Sequence, residues 1–423
     1  MFSSRCSPIL QRKEAPELSQ LIRSFAQLEN AILDPTDPVV TLFSGGLDST
    51  YLLYRLQKLG MQNIHAVSID VGDVESHTGK REIATHLGAT FHSVDARNEF
   101  ISHHVAPAIR AHAVYLGTHP ISSSLSRPLL AKVAVELAEK TGARMLLHTA
   151  NRSQNSLRRL NGAISALKFT GRYGSPYDLD PVDRSTKIEH LAAAGLTRMA
   201  QRVVSGDSNL WCREYESGFL DDPENHAMEQ DLYQWTANTG SYPEEIMSIG
   251  FENGLPVNVD GRALELTAII EELNHRVGKF GYGRYSGLEH LDRGEKVLEV
   301  REMPAAWILL KTLRHLETAC LSERLIREKM DIEQTWVTEA VEGRWFGGLR
   351  SAAQAFIESS TSRVSGTVTW TMNQRSVDTV SIHAPDALYL RDREAWEAES
   401  VNNEKEGYAM RSDGLILAGL NSV

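Results

Sequence analysis

The chain has 423 residues, 42% of them hydrophobic and 23% charged, which is enough for two domains that each bury a core. Its formal net charge of −11 argues against an extended phosphate backbone as partner, because nucleic-acid binders need a clustered basic surface. Cys6, Cys212 and Cys320 stand far apart with no Cys-x-x-Cys pair, so neither a zinc site nor a disulfide framework is indicated, and reduced thiols in a cytoplasm fit.

Met1 to Pro38 lacks the apolar core of a signal peptide, and no apolar stretch reaches bilayer-spanning length, so no membrane partner is expected. Behind Pro16, the residues Leu18, Leu21, Ile22, Phe25, Leu28 and Ile32 recur at helical spacing and predict an amphipathic helix ending near Asp34-Pro35. The apolar run Val39-Val40-Thr41-Leu42-Phe43 reads as a strand. Further strands are expected at Ile64 to Asp70, Thr90 to Asp95 and Arg144 to His148, with helical segments between them. A helix from Pro128 to Lys140 carries Leu130, Val133, Ala134, Leu137 and Ala138 on one face and closes at Gly142. This alternation predicts an α/β fold with a doubly wound parallel sheet, whose ligands bind at the carboxyl ends of the strands.

Beyond about Pro181 helices dominate, and the remaining strands read as hairpins. One joins Ile249-Gly250-Phe251 to Pro256 to Val259 through Asn253-Gly254, and another joins Val368 to Met372 with Val377 to Ile382. Leu266, Ile269, Ile270, Leu273 and Val277 form a helix stopped at Gly278. Gly281-Tyr282-Gly283 with Gly287 misses the dinucleotide spacing and follows a helix, so it reads as a turn.

The segment that carries chemistry is Ser44-Gly45-Gly46-Leu47-Asp48-Ser49-Thr50, placed after a strand and before a helical pattern. Paired glycines let backbone amides approach an anion that any Cβ would obstruct, and the helix N-terminus adds unpaired N–H groups and a favourable dipole. Ser44, Ser49 and Thr50 add hydroxyl donors. The Gly-x4-Gly-Lys-Ser/Thr pattern and its phosphate-binding lysine are absent, which disfavours γ-phosphoryl transfer. The motif resembles the loop of the ATP pyrophosphatases, which adenylate a carbonyl-type oxygen and expel pyrophosphate. Their glutaminase-bearing members need a nucleophilic cysteine, and the deazapurine-nitrile synthases need clustered zinc cysteines. The chain offers neither.

From about Val39 onward the sequence resembles the argininosuccinate synthase family. The likeness rests on Ser44 to Thr50, Ser122 to Pro128, His148 to Arg159, Gly278 to Glu289, Arg301-Glu302-Met303-Pro304-Ala305, and Gly343-Arg344-Trp345 leading into Arg363-Val364-Ser365-Gly366. The resemblance implies an adenine nucleotide alpha hydrolase-like domain over residues 38–180, after an N-terminal extension over 1–37. An α+β synthetase domain over 181–395 and an oligomerisation tail over 396–423 would follow. It also implies a reaction in which citrulline's ureido oxygen attacks the α-phosphate of ATP and aspartate's amine then displaces AMP, in a homo-oligomer of two or four subunits.

Carried over by position, Phe43 to Thr50 cradle pyrophosphate, the backbone at Ile69 meets adenine, and His148 and Ala150 border the nucleotide. Ser44, Asp48, Ser49 and Asn155 take the catalytic positions. Asp48 either orients Mg²⁺ or caps the helix, and Asn155 either faces substrate or serves a turn. Acceptor and amine contacts fall on His119, Ser123, Ser124, Arg127, Asn151, Asn155, Ser156, Arg159, Ser205, Glu214, Glu289 and Arg301. Several of these depart from the family pattern. His119 and Arg301 stand where the family has tyrosines, and Glu214 where it has a small hydroxyl residue. Asn151 replaces a threonine, Ser156 an aspartate, and Arg152-Ser153-Gln154 the tripeptide Gly-Lys-Gly. The departures gather at amino-acid positions and spare the nucleotide loop, which points to a changed acceptor, a changed amine, or both. Arg301 and Glu214 either grip substrate groups or neutralise each other. His119 and His148 are the histidines placed to take a proton, or else to serve in packing.

Overall fold

The computed structural model describes residues 20–72, 77–197, 205–237, 240–291 and 294–405. They fall into two units, one formed by the described residues of 20–69, 77–94 and 127–197, the other by those of 70–72, 95–126, 205–237, 240–291 and 294–405.

The first unit is built on a six-stranded sheet whose neighbours run Leu21–Ile22, Arg172–Gly174, Met145–Leu147, Val39–Leu42, Ile64–Asp70 and Ala89–Asp95. Pairings from Leu21–Ile22 through Ile64–Asp70 are all parallel, as expected for strands joined by helical crossovers. Val39–Leu42 lies between Ile64–Asp70 and Met145–Leu147, with the next strand in the chain on one side and a later one on the other, so the chain leaving its carboxyl end enters the crevice where strand order reverses. Ser44 to Gly46 is that chain. Val39, Val40 and Phe43 are buried, and Leu52, Leu53 and Leu56 of the next helix, Leu47–Lys58, pack in the same core with Ile64, Phe91 and Leu147.

Two sequence expectations shift here. The amphipathic N-terminal helix covers only Phe25–Ala31, because the Ser24 hydroxyl caps it by accepting from the Gln27 amide at 3.1 Å. Leu21 and Ile22 instead join the sheet edge beside Tyr173 and Gly174, and Pro16 and Leu18 lie outside the described residues. The helix expected from Pro128 begins five residues earlier and runs over Ser123–Thr141. Pro128 lies inside this helix, one turn past its start, where it forgoes an intrahelical N–H bond, so a proline does not mark the first residue reliably.

Besides the short antiparallel pair Val114–Tyr115 and His119–Pro120, the second unit holds two larger antiparallel sheets among the described residues. A five-stranded one runs Arg262–Ala263, Leu255–Val259, Glu245–Glu252, Gly366–Met372, Val377–His383, and includes both expected hairpins. Asn253 and Gly254 take positive φ values of 50° and 77°, the backbone that a tight hairpin turn requires. The other sheet runs Arg284–His290, Lys296–Glu302, Arg213–Glu216, Ser205–Ser208. None of its strands was expected. Three of them are rich in charged residues, so they carry no apolar alternation to read. Gly281 and Gly283 do form a turn, with φ of 85° and 90°, but the segment through Gly287 then continues as a strand. Buried Glu302 ties this sheet to a loop by accepting from the amides of Gln234, Trp235 and Thr236 at 2.7 to 3.1 Å. Among the described residues no helix is long and apolar enough to cross a membrane.

Candidate active site

In the first unit the strand Val39–Leu42 delivers Phe43, whose amide bonds Val67 O at 2.8 Å, directly into the glycine turn. Gly45 takes φ 76°, a left-handed conformation that glycine adopts without the Cβ penalty. A Cβ there would stand 2.9 Å from Cγ of Lys80, so that side chain packs against the bare backbone. Gly46 occupies the N-cap position of the following helix without a side-chain cap, which leaves first-turn amides for another acceptor. Ser44 Oγ lies 3.1 Å from Ser49 Oγ and accepts from the Gly46 amide at 3.2 Å, while Ser49 Oγ reaches Gly46 O at 3.1 Å. Thr50 is fully buried and its hydroxyl has no hydrogen-bond partner. Leu47 packs on the core, and Ile69 sits near the carboxyl end of the neighbouring strand.

Asp48 does not cap the helix. Its carboxylate accepts from Lys187 Nζ at 2.6 Å, and its main-chain oxygen accepts from Tyr177 Oη at 2.9 Å. Neither Lys187 nor Tyr177 belongs to a recognisable motif.

The strand Met145–Leu147 leads to the second loop. His148 is buried, its Nδ1 accepts from the Ala150 amide at 3.3 Å, and its Nε2–H therefore donates to Asn161 Oδ1 at 2.9 Å. Burial, with the nearby Arg127 charge adding to it against the Asn161 bond, pulls the imidazole down to about 4. With both nitrogens engaged, His148 is a fixed part of the turn. The unfolded imidazole protonates near 6.5 and the folded one only near 4, so the unfolded chain takes up the proton first. Stability is therefore full above pH 6.5 and is lost as pH falls toward 4, by up to about 3 kcal/mol from this group. Chemical denaturation across that window, with His148→Asn removing this part of the slope, checks it.

Asn151 Oδ1 accepts from the Ser153 amide and hydroxyl at 3.1 and 2.7 Å, which closes the turn. Arg152 is held on Asp178 at 2.8 Å, and Arg23 reaches the same carboxylate at 2.5 Å. Burial pushes the Asp178 carboxyl up, but the two arginines outweigh it and hold it below its usual range. Asn155 is buried at the N-cap of the helix Ser156–Ala166, and Arg159, 2% exposed, lies on that helix's inner face. Arg127 Nε donates to Ser156 Oγ at 2.9 Å.

In the second unit, buried Ser123 and Ser124 open the helix Ser123–Thr141, and the strand His119–Pro120 precedes it. Ser205 begins the strand Ser205–Ser208, and its side chain is outside the described set. Glu214, Arg301 and Tyr285 share one rung of the four-stranded sheet. Strand alternation puts Glu299 and Glu289 on the same face. Arg301 is 2% exposed and pairs with Glu299, with Glu214 Oε1 at 3.4 Å and with Glu289 Oε2 at 3.7 Å. Its Nη1 also donates to Pro120 O at 3.3 Å. Burial opposes the guanidinium charge, but the three carboxylates outweigh it and hold Arg301 well above its usual range. Burial and neighbouring Glu289 and Glu214 push the Glu299 carboxyl well up against the pull of Arg301. His119 packs against Tyr285 with ring centroids 4.6 Å apart and planes tilted by 33°, and its Nδ1 lies 2.9 Å from Thr118 Oγ1. Glu299 and Tyr285 were not expected at this cluster.

The Arginosuccinate synthase N-terminal HUP domain model matches residues 38–195, and the Arginosuccinate synthase C-terminal domain model matches residues 204–415. The argininosuccinate synthase of Rubrobacter xylanophilus is 34% identical over 371 residues, covering 86% of this chain and 90% of that one. The chain belongs to the argininosuccinate synthase family. The Pyrococcus furiosus argininosuccinate synthase is 33% identical, covering 87% of this chain and 90% of its own, and that of Symbiobacterium thermophilum is 34% identical over 84% and 89%. The chain is thus an ATP-dependent C–N bond-forming ligase of that family, with the expected parallel-sheet nucleotide fold followed by a mixed α/β domain.

Proposed function

We propose that the chain adenylates a ureido or related carbonyl oxygen of an amino-acid acceptor, releases pyrophosphate, and lets an amino-acid amine displace AMP, with acceptor and amine sites changed from the family pattern. The observation that carries this reading is the state of Arg301. A guanidinium held by Glu299, Glu214 and Glu289 is not open to a substrate carboxylate, and three carboxylates against one cation leave the cluster negative. Ser156 supports the same view, since an incoming ammonium there meets a hydroxyl already bonded to Arg127 rather than a carboxylate. Catalysis is then mainly positioning: the amides and hydroxyls of Ser44 to Thr50 stabilise the departing diphosphate, and the His148 to Arg159 loop aligns the oxygen.

Magnesium belongs to this reading as a passenger of the nucleotide. Asp48 is the turn's sole carboxylate and Lys187 already sits on it, and no cluster of three or more potential ligands exists among the described residues. The donor set does not build a resident metal centre. A cytoplasmic homo-oligomer, dimer or tetramer, acting on small amino acids without nucleic-acid or membrane partners, completes the proposal. The tail after residue 405 lies outside the described residues.

A second reading, synthesis of argininosuccinate from citrulline and aspartate, draws on the Glu214–Arg301 pair, because two substitutions that neutralise each other need not alter the ligand. A pyrophosphate-release screen of ureido, amidino and carboxyl acceptors against aspartate and other amines separates the two. We expect AMP and pyrophosphate as products, with the best pair other than citrulline and aspartate; full turnover with citrulline and aspartate alone overturns the altered-specificity reading.

A further inference from the structure

The glycine turn brings no cation of its own, since Ser44 to Thr50 contains hydroxyls and one carboxylate. Arg152, in the facing loop, is committed to Asp178 at 2.8 Å, and Arg127 to Ser156 at 2.9 Å. Two lysines reach the turn from elsewhere in the first unit: Lys80, whose stem lies against Gly45, and Lys187, whose ammonium pairs with the turn's carboxylate. Lys187 rises from the helix Arg184–Ala193, is nine-tenths buried, and places Nζ 2.6 Å from Asp48 Oδ1 and 5.0 Å from the centre of the Tyr177 ring. Tyr177 holds the Asp48 main-chain oxygen, so the backbone stays anchored whether or not the carboxylate keeps its lysine. A side chain carrying a compact charge on a four-carbon stem can exchange one oxyanion for another nearby without moving the backbone. The diphosphate expelled in adenylation is the more highly charged of the two acceptors, and lysine binds phosphate as a point charge.

We propose that Lys187 is a cation that contacts the diphosphate at this loop, resting on Asp48 when no anion is bound and passing to a phosphate oxygen when one is. Asp48 then acts as the resting partner that keeps the buried ammonium paired. The inference deepens the pyrophosphate reading of Ser44 to Thr50 and rests on it, but is independent of which acceptor or amine the enzyme uses.

The test is titration calorimetry of the full chain with inorganic pyrophosphate and, separately, AMP, in EDTA so that no divalent cation bridges Asp48. Lys187→Met should weaken pyrophosphate binding about tenfold or more while AMP binding changes less than about twofold. Asp48→Asn should move the other way, tightening pyrophosphate severalfold, because the lysine no longer has to leave a carboxylate. A merely structural ion pair would make the two variants fall together. Unchanged pyrophosphate affinity in Lys187→Met, or parallel loss of pyrophosphate and AMP, overturns the assignment. Should Lys187→Met fail to fold by circular dichroism, the sign of the Asp48→Asn change decides: tightening supports the assignment, and weakening or no change overturns it. If the wild-type chain binds neither pyrophosphate nor AMP, the loop reading itself falls, which is a distinct result.

Discussion

Replacing Gly45 with valine should reduce the rate of pyrophosphate release by roughly a hundredfold or more while the protein remains folded. Gly45 has φ 76°, where a β-branched residue is strained by about 1–3 kcal/mol. The new Cβ would also stand 2.9 Å from Lys80 Cγ. That neighbour is a flexible side chain and can yield, so the fold tolerates the change with a melting temperature lower by only a few degrees, about 2–4 °C for each kcal/mol. The function should not tolerate it. The branched side chain projects where an anion must approach the backbone amides, and the turn relaxes toward negative φ and turns those amides away. Gly45→Ala, smaller but subject to the same φ, should fall between the two. A pyrophosphate-release assay with calorimetric melting checks both; a valine variant with near-normal turnover would show that the turn does not hold the leaving group.

The second large effect belongs to Arg301. Arg301→Met keeps much of the side-chain volume but leaves Glu214, Glu289 and Glu299 without their shared cation in a buried site. Breaking a buried pair from one side typically costs about 3–5 kcal/mol, and the cost here should sit at the upper end because three carboxylates lose the same partner. The pH dependence identifies the cause. Without the guanidinium, burial and mutual repulsion raise the carboxyls of the folded state above their unfolded values, so the folded variant binds more protons than the unfolded chain. Its stability therefore falls as pH rises through that range and partly recovers in mild acid. A cavity left by lost packing would show no such slope. Urea denaturation of wild type and variant at pH 5 and pH 8 makes the comparison.

How much of this was legible beforehand differs between the two units. The nucleotide turn was readable because its chemistry is contiguous: Ser44 to Thr50 lies in one stretch, between a β-branched run and a helical pattern, and local rules specify what such a stretch becomes. The parallel sheet followed from alternating apolar strands and helices. By contrast, the strands Arg213–Glu216, Arg284–His290 and Lys296–Glu302 read as charged or glycine-bearing segments, since what stabilises them is cross-strand pairing of ionised residues that are distant in sequence. Leu21 and Ile22 illustrate the same limit: helical spacing covered them, but pairing with Tyr173 and Gly174 decided their conformation.

The sequence by itself determined the family, the nucleotide fold and the identity of the glycine turn, because each depends on residue types at short, fixed spacing. Only the tertiary structure decided what the charged groups do. It placed Lys187 on Asp48, Arg152 on Asp178, and Glu299 beside Glu214 and Glu289 around Arg301. No local pattern encodes those partnerships. A charge buried away from water is tolerated only where the fold brings an opposite charge within a few ångströms, and that proximity is set by how helices and strands pack.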